Sequence, residues 1–185
     1  MTLSIRPLRP DDADLYRTIR LEALRAHPEA FSSSADLEGA QPLTWFAERL
    51  TVNVVFGAFR DATLLGTAGF RGQSAFKQAH KATLWGMYLR PEARGSGLAR
   101  RLVEAVLDHA RGRVELIQLA VVADNVVARR LYASLGFTEY GIEVHSLKVE
   151  GRYLDEVLMV KILPWGDPPL RPGRSGPSMV LSWHP

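Results

Sequence analysis

At 185 residues the chain is long enough for one domain with a substantial core and short for two. The absence of cysteine excludes disulfides, thiolate metal ligands and cysteine nucleophiles. A net charge of only +3, with scattered basic residues and no aromatic-rich RNA-binding signature, argues against nucleic acid as the main partner. The amino terminus lacks the charged and then apolar regions of a signal peptide, and no apolar run approaches the roughly 18 residues that span a bilayer. A cytoplasmic soluble protein without membrane association is expected.

In chain order, Ile5 to Leu8 reads as a short strand closed by Pro10. Asp11, Asp12 and Asp14 supply cap and first-turn carboxylates for a helix whose apolar positions Leu15, Ile19, Ala23 and Leu24 run to about Arg25. "HPEAFSSSADLEGAQP" reads as a loop with room for a broken helix, and Thr44 is placed to cap a short helix through Phe46 and Leu50. From Val52 the pattern turns to strands: "VNVVFGAFR" and "LLGTAGFRG" flank a tight turn at Asp61-Ala62. "KATLWGMYLR" follows, with Gly86 a candidate bulge.

A helix from Ser96 to Ala110 is predicted to bury Leu98, Leu102, Ala105, Val106 and His109. The apolar run "VELIQLAVVA" is the next strand. Asp124-Asn125 then caps a helix that ends at Gly136. Two alternating strands around Glu150-Gly151 close the domain. This order predicts an α/β domain with a mixed sheet over residues 1–163. From Pro164 to Pro185 there are six prolines in 22 residues, and a mostly disordered tail is expected there.

The glycines of Arg94-Gly95-Ser96-Gly97 sit at the mouth of a helix, where they add no packing and cost backbone entropy. A helix N-terminus offers unpaired amides and a positive dipole end, which suit a phosphate group. The P-loop pattern is absent. The dinucleotide fingerprint also fails, because Arg100 stands where its third glycine belongs.

The stretch resembles motif A of the GNAT superfamily of N-acetyltransferases, with Arg94, Gly97 and Ala99 at its defining positions. "ADNVVARRLYASLGF" resembles the family's motif B through Asn125, Ala128, Tyr132, Gly136 and Phe137. "RPLRPDDADLYRTIRLEAL" is similar to its opening strand and first helix. The resemblance covers about residues 3 to 163. It implies a mixed, mostly antiparallel six- or seven-stranded sheet with helices on both faces and a splayed central strand pair.

It also implies acetyl-CoA as cosubstrate, with no metal required. By position, the pyrophosphate would rest on the amides of Arg94, Gly95, Ser96, Gly97, Leu98 and Ala99. The pantetheine arm would pair with the backbone near Met87, Tyr88 and Leu89. Asn125 is a helix cap and a possible CoA contact. Tyr132 is either a half-buried helix aromatic or, as the resemblance implies, the acid that protonates the departing thiolate. A phenol stays protonated at neutral pH and can donate.

"KATLWGMYLR" holds no carboxylate, whereas many relatives carry a glutamate there. The general base is therefore open among Glu22, His80, His145 and a water relay. The resemblance implies an acceptor pocket built from about Phe31 to Trp45 and Val144 to Tyr153. Phe31, Trp45 and Tyr153 would be apolar walls, and Asp36, Glu38, Asp155 and Glu156 could meet a cation. An amine of a small molecule or peptide is the expected acceptor, and a homodimer is expected. The rival expectation is a catalytically impaired CoA-binding sensor or interaction module.

Overall fold

Short runs of alternating or fully apolar residues assemble into one seven-stranded sheet in the computed structural model, which describes residues 2–164. The strands are β1 (Leu3–Pro7), β2 (Val54–Arg60), β3 (Thr63–Gly72), β4 (Lys81–Leu89), β5 (Leu116–Val122), β6 (Thr138–Val149) and β7 (Arg152–Ile162). Their spatial order is β1-β2-β3-β4-β5-β7-β6, and every neighbouring pair is antiparallel except β4 and β5. The helices are α1 (Ala13–Ala26), α2 (Ala35–Gly39), α3 (Leu43–Val52), α4 (Leu98–Ala110) and α5 (Val126–Ser134). The tail expected from Pro164 lies, apart from that residue, outside the described residues.

Side-chain alternation along β2 divides the core between the two faces of the sheet. Phe56 and Ala58 join Ala68, Phe70, Leu84 and the buried stripe of α4 on one face. Val55 and Phe59 join Leu64, Tyr88 and the inner sides of α1 and α3 on the other. Helices therefore cover both faces, as the resemblance implied.

The β4–β5 pair is the feature that positions a site. Only Lys81, Ala82 and Thr83 of β4 are in register with Leu116, Ile117 and Gln118 of β5; beyond them the strands separate. The cause lies in β4. Opposite β3, Trp85 pairs with Gly69 and Tyr88 with Thr67, so Gly86 and Met87 face one residue. Gly86 sits at φ 62°, a conformation that glycine adopts without the usual steric cost, and its carbonyl accepts from the Thr67 hydroxyl at 3.2 Å.

Several local expectations are corrected by packing. Pro42, not Thr44, is the N-cap of α3: its extended backbone starts the helix two residues earlier, leaving Thr44 exposed within the first turn. Leu15 faces solvent while Tyr16 is buried, because α1 turns its Tyr16–Ile19–Ala23 stripe to the core. In α4 the fully buried partners of Leu98, Leu102 and Val106 are Val103, Leu107 and Ala110. Ala105 and His109 are half-buried, and the His109 ring meets Phe70 edge-on at 4.9 Å. The Glu150-Gly151 turn has φ of 49° and 82°, as a two-residue hairpin of the primed type requires.

Glu38 is the acid that the fold treats least as a surface group. It forms a two-point ion pair with Arg20, Nε to Oε2 at 2.9 Å and Nη2 to Oε1 at 2.7 Å, tying α2 to α1. The side chains are 5% and 8% exposed. Burial acts to raise the Glu38 carboxyl, but hydrogen bonding and charge from Arg20, with Ser33, outweigh it and hold the group below its ordinary value. The pair therefore stabilises the fold at neutral pH and loses its contribution as pH falls below the glutamate range.

Glu38→Gln leaves the Arg20 cation buried without its counter-charge, so it is expected to cost about 3 kcal/mol or more. A thermal melt should record this as a Tm lowered by roughly 6–12 °C. A Tm unchanged within error would mean that the pair contributes nothing net.

Candidate active site

The mouth of α4 explains the glycines. Gly95 and Gly97 both have positive φ, 72° and 79°, and Gly97 is the N-cap in left-handed conformation. A side chain at either would be strained although the space around it is open. Among the described residues no amide from Gly95 to Arg100 donates to a backbone or side-chain acceptor; the first bonded one is Arg101 N, to Gly97 O at 3.2 Å. Six adjacent unpaired N–H groups at the positive end of a 13-residue helix form a cradle with the chemistry that suits an anion.

Leu98 contributes only its amide, since its side chain is fully buried, and the Ser96 hydroxyl is taken up by Ala93 O at 2.5 Å. The Arg94 side chain folds back, with Nε on Leu89 O at 3.3 Å and Nη2 3.1 Å from His27 Nε2.

The cradle opens into a cavity of about 650 Å³. Met87, Tyr88 and Leu89 form its floor, Arg94, Gly95, Gly97 and Ala99 one rim, and Asn125, Ala128 and Tyr132 of the α5 region the opposite wall. A smaller cavity of about 120 Å³ continues into the β4–β5 split, lined by Trp85, Gly86 and Met87 on one side and Leu119 to Val122 on the other. Phe31, Asn125 and Tyr132 border both. Past Thr83 the inner edge of β4 has no β5 partner, so its backbone groups are free to pair with an extended ligand.

Asn125 caps α5, its Oδ1 accepting from Ala128 N at 3.1 Å. The Tyr132 ring is 5% exposed and packs edge-on against Phe137 at 5.8 Å. Burial pushes its phenol well above the ordinary tyrosine value. Tyr88 is also pushed up, to about 12, by burial and then by the bond its hydroxyl donates to Glu22 Oε1 at 3.0 Å.

The candidate bases fare differently. Glu22 is bound by that hydroxyl and by Arg90, whose Nε and Nη2 lie 3.0 and 2.8 Å from Oε2, and it does not line the cavity. His80 precedes β4 at the end where β5 is still paired, its carbonyl accepting from Glu115 N at 2.8 Å. His145 sits in a β6 bulge at φ 56°, stacked on Tyr153 with ring centroids 4.4 Å apart. Neither histidine borders either cavity.

The expected acceptor walls are also rearranged. Tyr153 is exposed, Glu38 is paired with Arg20, Asp155 accepts from His145 N at 2.8 Å and Glu156 from Ser146 Oγ at 2.6 Å. Phe31 does line the site, whereas half-buried Trp45 borders neither cavity and packs against Phe46.

Sequence reasoning missed His27 and Glu29, which line the larger cavity. His27 Nδ1 is 3.3 Å from Glu29 Oε1. The one signal was the His27-Pro28 break at the end of α1, which marks a loop but not the cradle it faces. Among the described residues no group of three or more His, Asp or Glu side chains is placed to hold a metal ion. No helix among them is long and apolar enough to cross a membrane.

Comparison with known proteins finds the acetyltransferase (GNAT) family matching residues 16–137. The chain is 34% identical over 140 residues to a mycothiol acetyltransferase of Thermobispora bispora, covering 72% of this chain and 45% of that protein. It is 35% identical over 78 residues to a spermidine N(1)-acetyltransferase of Vibrio cholerae, covering 41% of this chain and 45% of that one. The chain thus spans less than half the length of these curated relatives.

Among solved structures it resembles a GNAT-family acetyltransferase from Streptococcus pneumoniae, with TM-score 0.78, 22% identity and coverage of 88% and 100% of the two chains. A putative acetyltransferase from Salmonella typhimurium, solved with its cofactor acetyl-CoA, gives TM-score 0.75, 23% identity and coverage of 91% and 98%. At these identities the likeness is one of fold.

Proposed function

The chain belongs to the GNAT family of acetyltransferases, and from that membership we propose that it moves an acetyl group from acetyl-CoA to an amine of a small molecule or peptide. The observation that carries this reading is the run of unpaired amides at the mouth of α4, which opens into the same cavity as Tyr132 and the β4–β5 split. The cradle suits the pyrophosphate. The unpaired inner edge of β4 suits the pantetheine arm, whose amides would pair with it as an added strand. The arm's far end would bring the thioester carbonyl to the bulge at Gly86 and Met87, where a backbone amide can donate to the developing oxyanion.

The neutral amine attacks the thioester carbonyl carbon, the C–N bond forms, and collapse of the tetrahedral intermediate breaks C–S. The thiolate leaves beside Tyr132, whose hydroxyl supplies its proton. Desolvation raises the thiolate's proton affinity as it raises that of the phenol, so donation is not opposed by the high Tyr132 value alone. The ammonium's first proton goes to solvent through water in the open cavity before attack, and the second, released as the attacking nitrogen becomes an amide, returns through that water to the Tyr132 phenolate. A water relay is supported over a fixed base, because Glu22 is engaged with Arg90 and Tyr88 while His80 and His145 stand outside the cavity.

Spermidine, named for one relative, is the first acceptor to try. Thiol release from acetyl-CoA over a panel of amino acids, polyamines, aminoglycosides and peptide N-termini tests the reading. Amine-dependent release is the expected result. CoA binding without release to any acceptor would instead favour a CoA-binding module that lacks catalysis.

A further inference from the structure

Among the described residues Arg94 is the only lysine or arginine that lines either cavity. Its guanidinium is held at two points, Nε on Leu89 O at 3.3 Å and Nη2 at 3.1 Å from His27 Nε2. No carboxylate lies within 4.0 Å of it among the described residues. Of the five N–H groups that a guanidinium carries, the other three have no acceptor among them either. Arg94 adjoins the six unpaired amides from Gly95 to Arg100.

The contact with His27 defines the state of its ring. An arginine nitrogen can only donate, so Nε2 is the acceptor and the ring proton sits on Nδ1. Nδ1 is 3.3 Å from Glu29 Oε1, which accepts that proton's hydrogen bond. The Glu29 carboxylate thus holds the imidazole in the tautomer that can receive Arg94.

The backbone holds the ring in place. His27 caps the end of α1, its N–H donating to Ala23 O at 3.0 Å, and its carbonyl accepts from Ala30 N at 3.0 Å. The ring also lies near that of buried Tyr88, with centroids 6.2 Å apart. Arg94 is therefore fixed by a neutral group that leaves its charge in force, where direct contact with Glu29 would oppose it.

We propose that His27 is a positioning residue for acetyl-CoA: it holds the Arg94 guanidinium at the cradle, where the free N–H groups meet the pyrophosphate together with the α4 amides. This rests on the acetyl-transfer reading and adds to it a residue outside motifs A and B, 67 positions from its partner. An arginine side chain loses much rotamer freedom when it binds a ligand. Fixing it before the ligand arrives removes part of that cost from binding.

The test is calorimetric CoA binding to the full chain, with steady-state kinetics in acetyl-CoA beside it. His27→Ala should raise the CoA dissociation constant and the acetyl-CoA KM about tenfold, the usual scale for one charged contact, with the effect on KM and not on kcat. Should that variant fail to fold, His27→Asn, whose shorter amide stops short of Arg94, takes its place. His27→Gln keeps an acceptor at about the reach of Nε2, so it should stay within about threefold of wild type.

Adding His27→Ala to Arg94→Ala should bring no further loss, since the ring acts through the guanidinium. S-acetylpantetheine, which lacks the pyrophosphate, should be used equally well by wild type and by His27→Ala. A His27→Ala dissociation constant within threefold of wild type, or the same loss in His27→Gln, would overturn the proposal. So would a further loss on top of Arg94→Ala, or an equal defect with S-acetylpantetheine. Failure of the wild-type chain to bind CoA would instead overturn the acetyl-transfer reading.

Discussion

Tyr132→Phe is expected to lower kcat by about 10²–10⁴-fold while leaving acetyl-CoA affinity unchanged, the usual loss for one general acid when chemistry limits the rate. The substitution keeps the ring that packs against Phe137 and the helix that carries it, and removes the hydroxyl alone. Help given to a departing thiolate arises in the transition state, so it appears in kcat and not in ground-state binding.

The same assignment predicts a pH profile. Burial raises the Tyr132 phenol above its ordinary value of about 10, so its protonated donor form persists throughout the working range. In the wild-type protein kcat should rise with pH as the acceptor amine loses its proton, with no descending limb below about pH 10. Steady-state kinetics from acid to alkaline pH, beside calorimetric CoA binding and a melting curve, measure all three quantities. A kcat within about threefold of wild type, with chemistry rate-limiting, would retire Tyr132 as the acid and leave it a core aromatic.

Gly97→Glu is expected to raise the CoA dissociation constant at least about tenfold, the loss of one or two charge-assisted hydrogen bonds at roughly 1.5–3 kcal/mol each. Two effects act together. A side chain at φ 79° strains the left-handed N-cap of α4, and the new carboxylate stands where the pyrophosphate would approach. Gly97→Ala carries the strain without the charge, so the difference between the two variants isolates the electrostatic part. No protein atom lies within 4 Å of the added Cβ, so loss of the fold is not expected from crowding. Unchanged CoA affinity in a folded Gly97→Glu protein would remove the phosphate assignment.

Much of the fold was legible because it is written in local patterns. Alternation marked the strands, Asp61, Asn125 and Glu150-Gly151 marked turns and caps, and Gly95 with Gly97 marked the helix mouth. Each of these follows from the conformational preference of a residue and its immediate neighbours. Motifs A and B sit beside the cavity for the same reason: the unpaired groups at the mouth of α4 are backbone amides, and backbone conformation is what glycine and cap residues report.

What local pattern could not decide is which distant side chains meet. Glu22, His80 and His145 were equivalent as titratable residues in the sequence; packing spent the first on Arg90 and Tyr88 and set the others away from the cavity. His27 and Glu29 came to the site because α1 ends beside the α4 mouth, a contact across 67 residues between His27 and Arg94. Glu38 read as an acid that could meet a cation in an acceptor pocket and became a buried partner of Arg20.

The sequence by itself determined the strand order along the chain, the caps and the glycine turn at the mouth of α4, since these depend on backbone torsions set within a few residues. The tertiary structure alone decided which charges are neutralised and which titratable side chains reach the cavity. Charge pairing depends on distances of a few ångströms between segments far apart in the chain, and only the packed sheet and helices fix those distances.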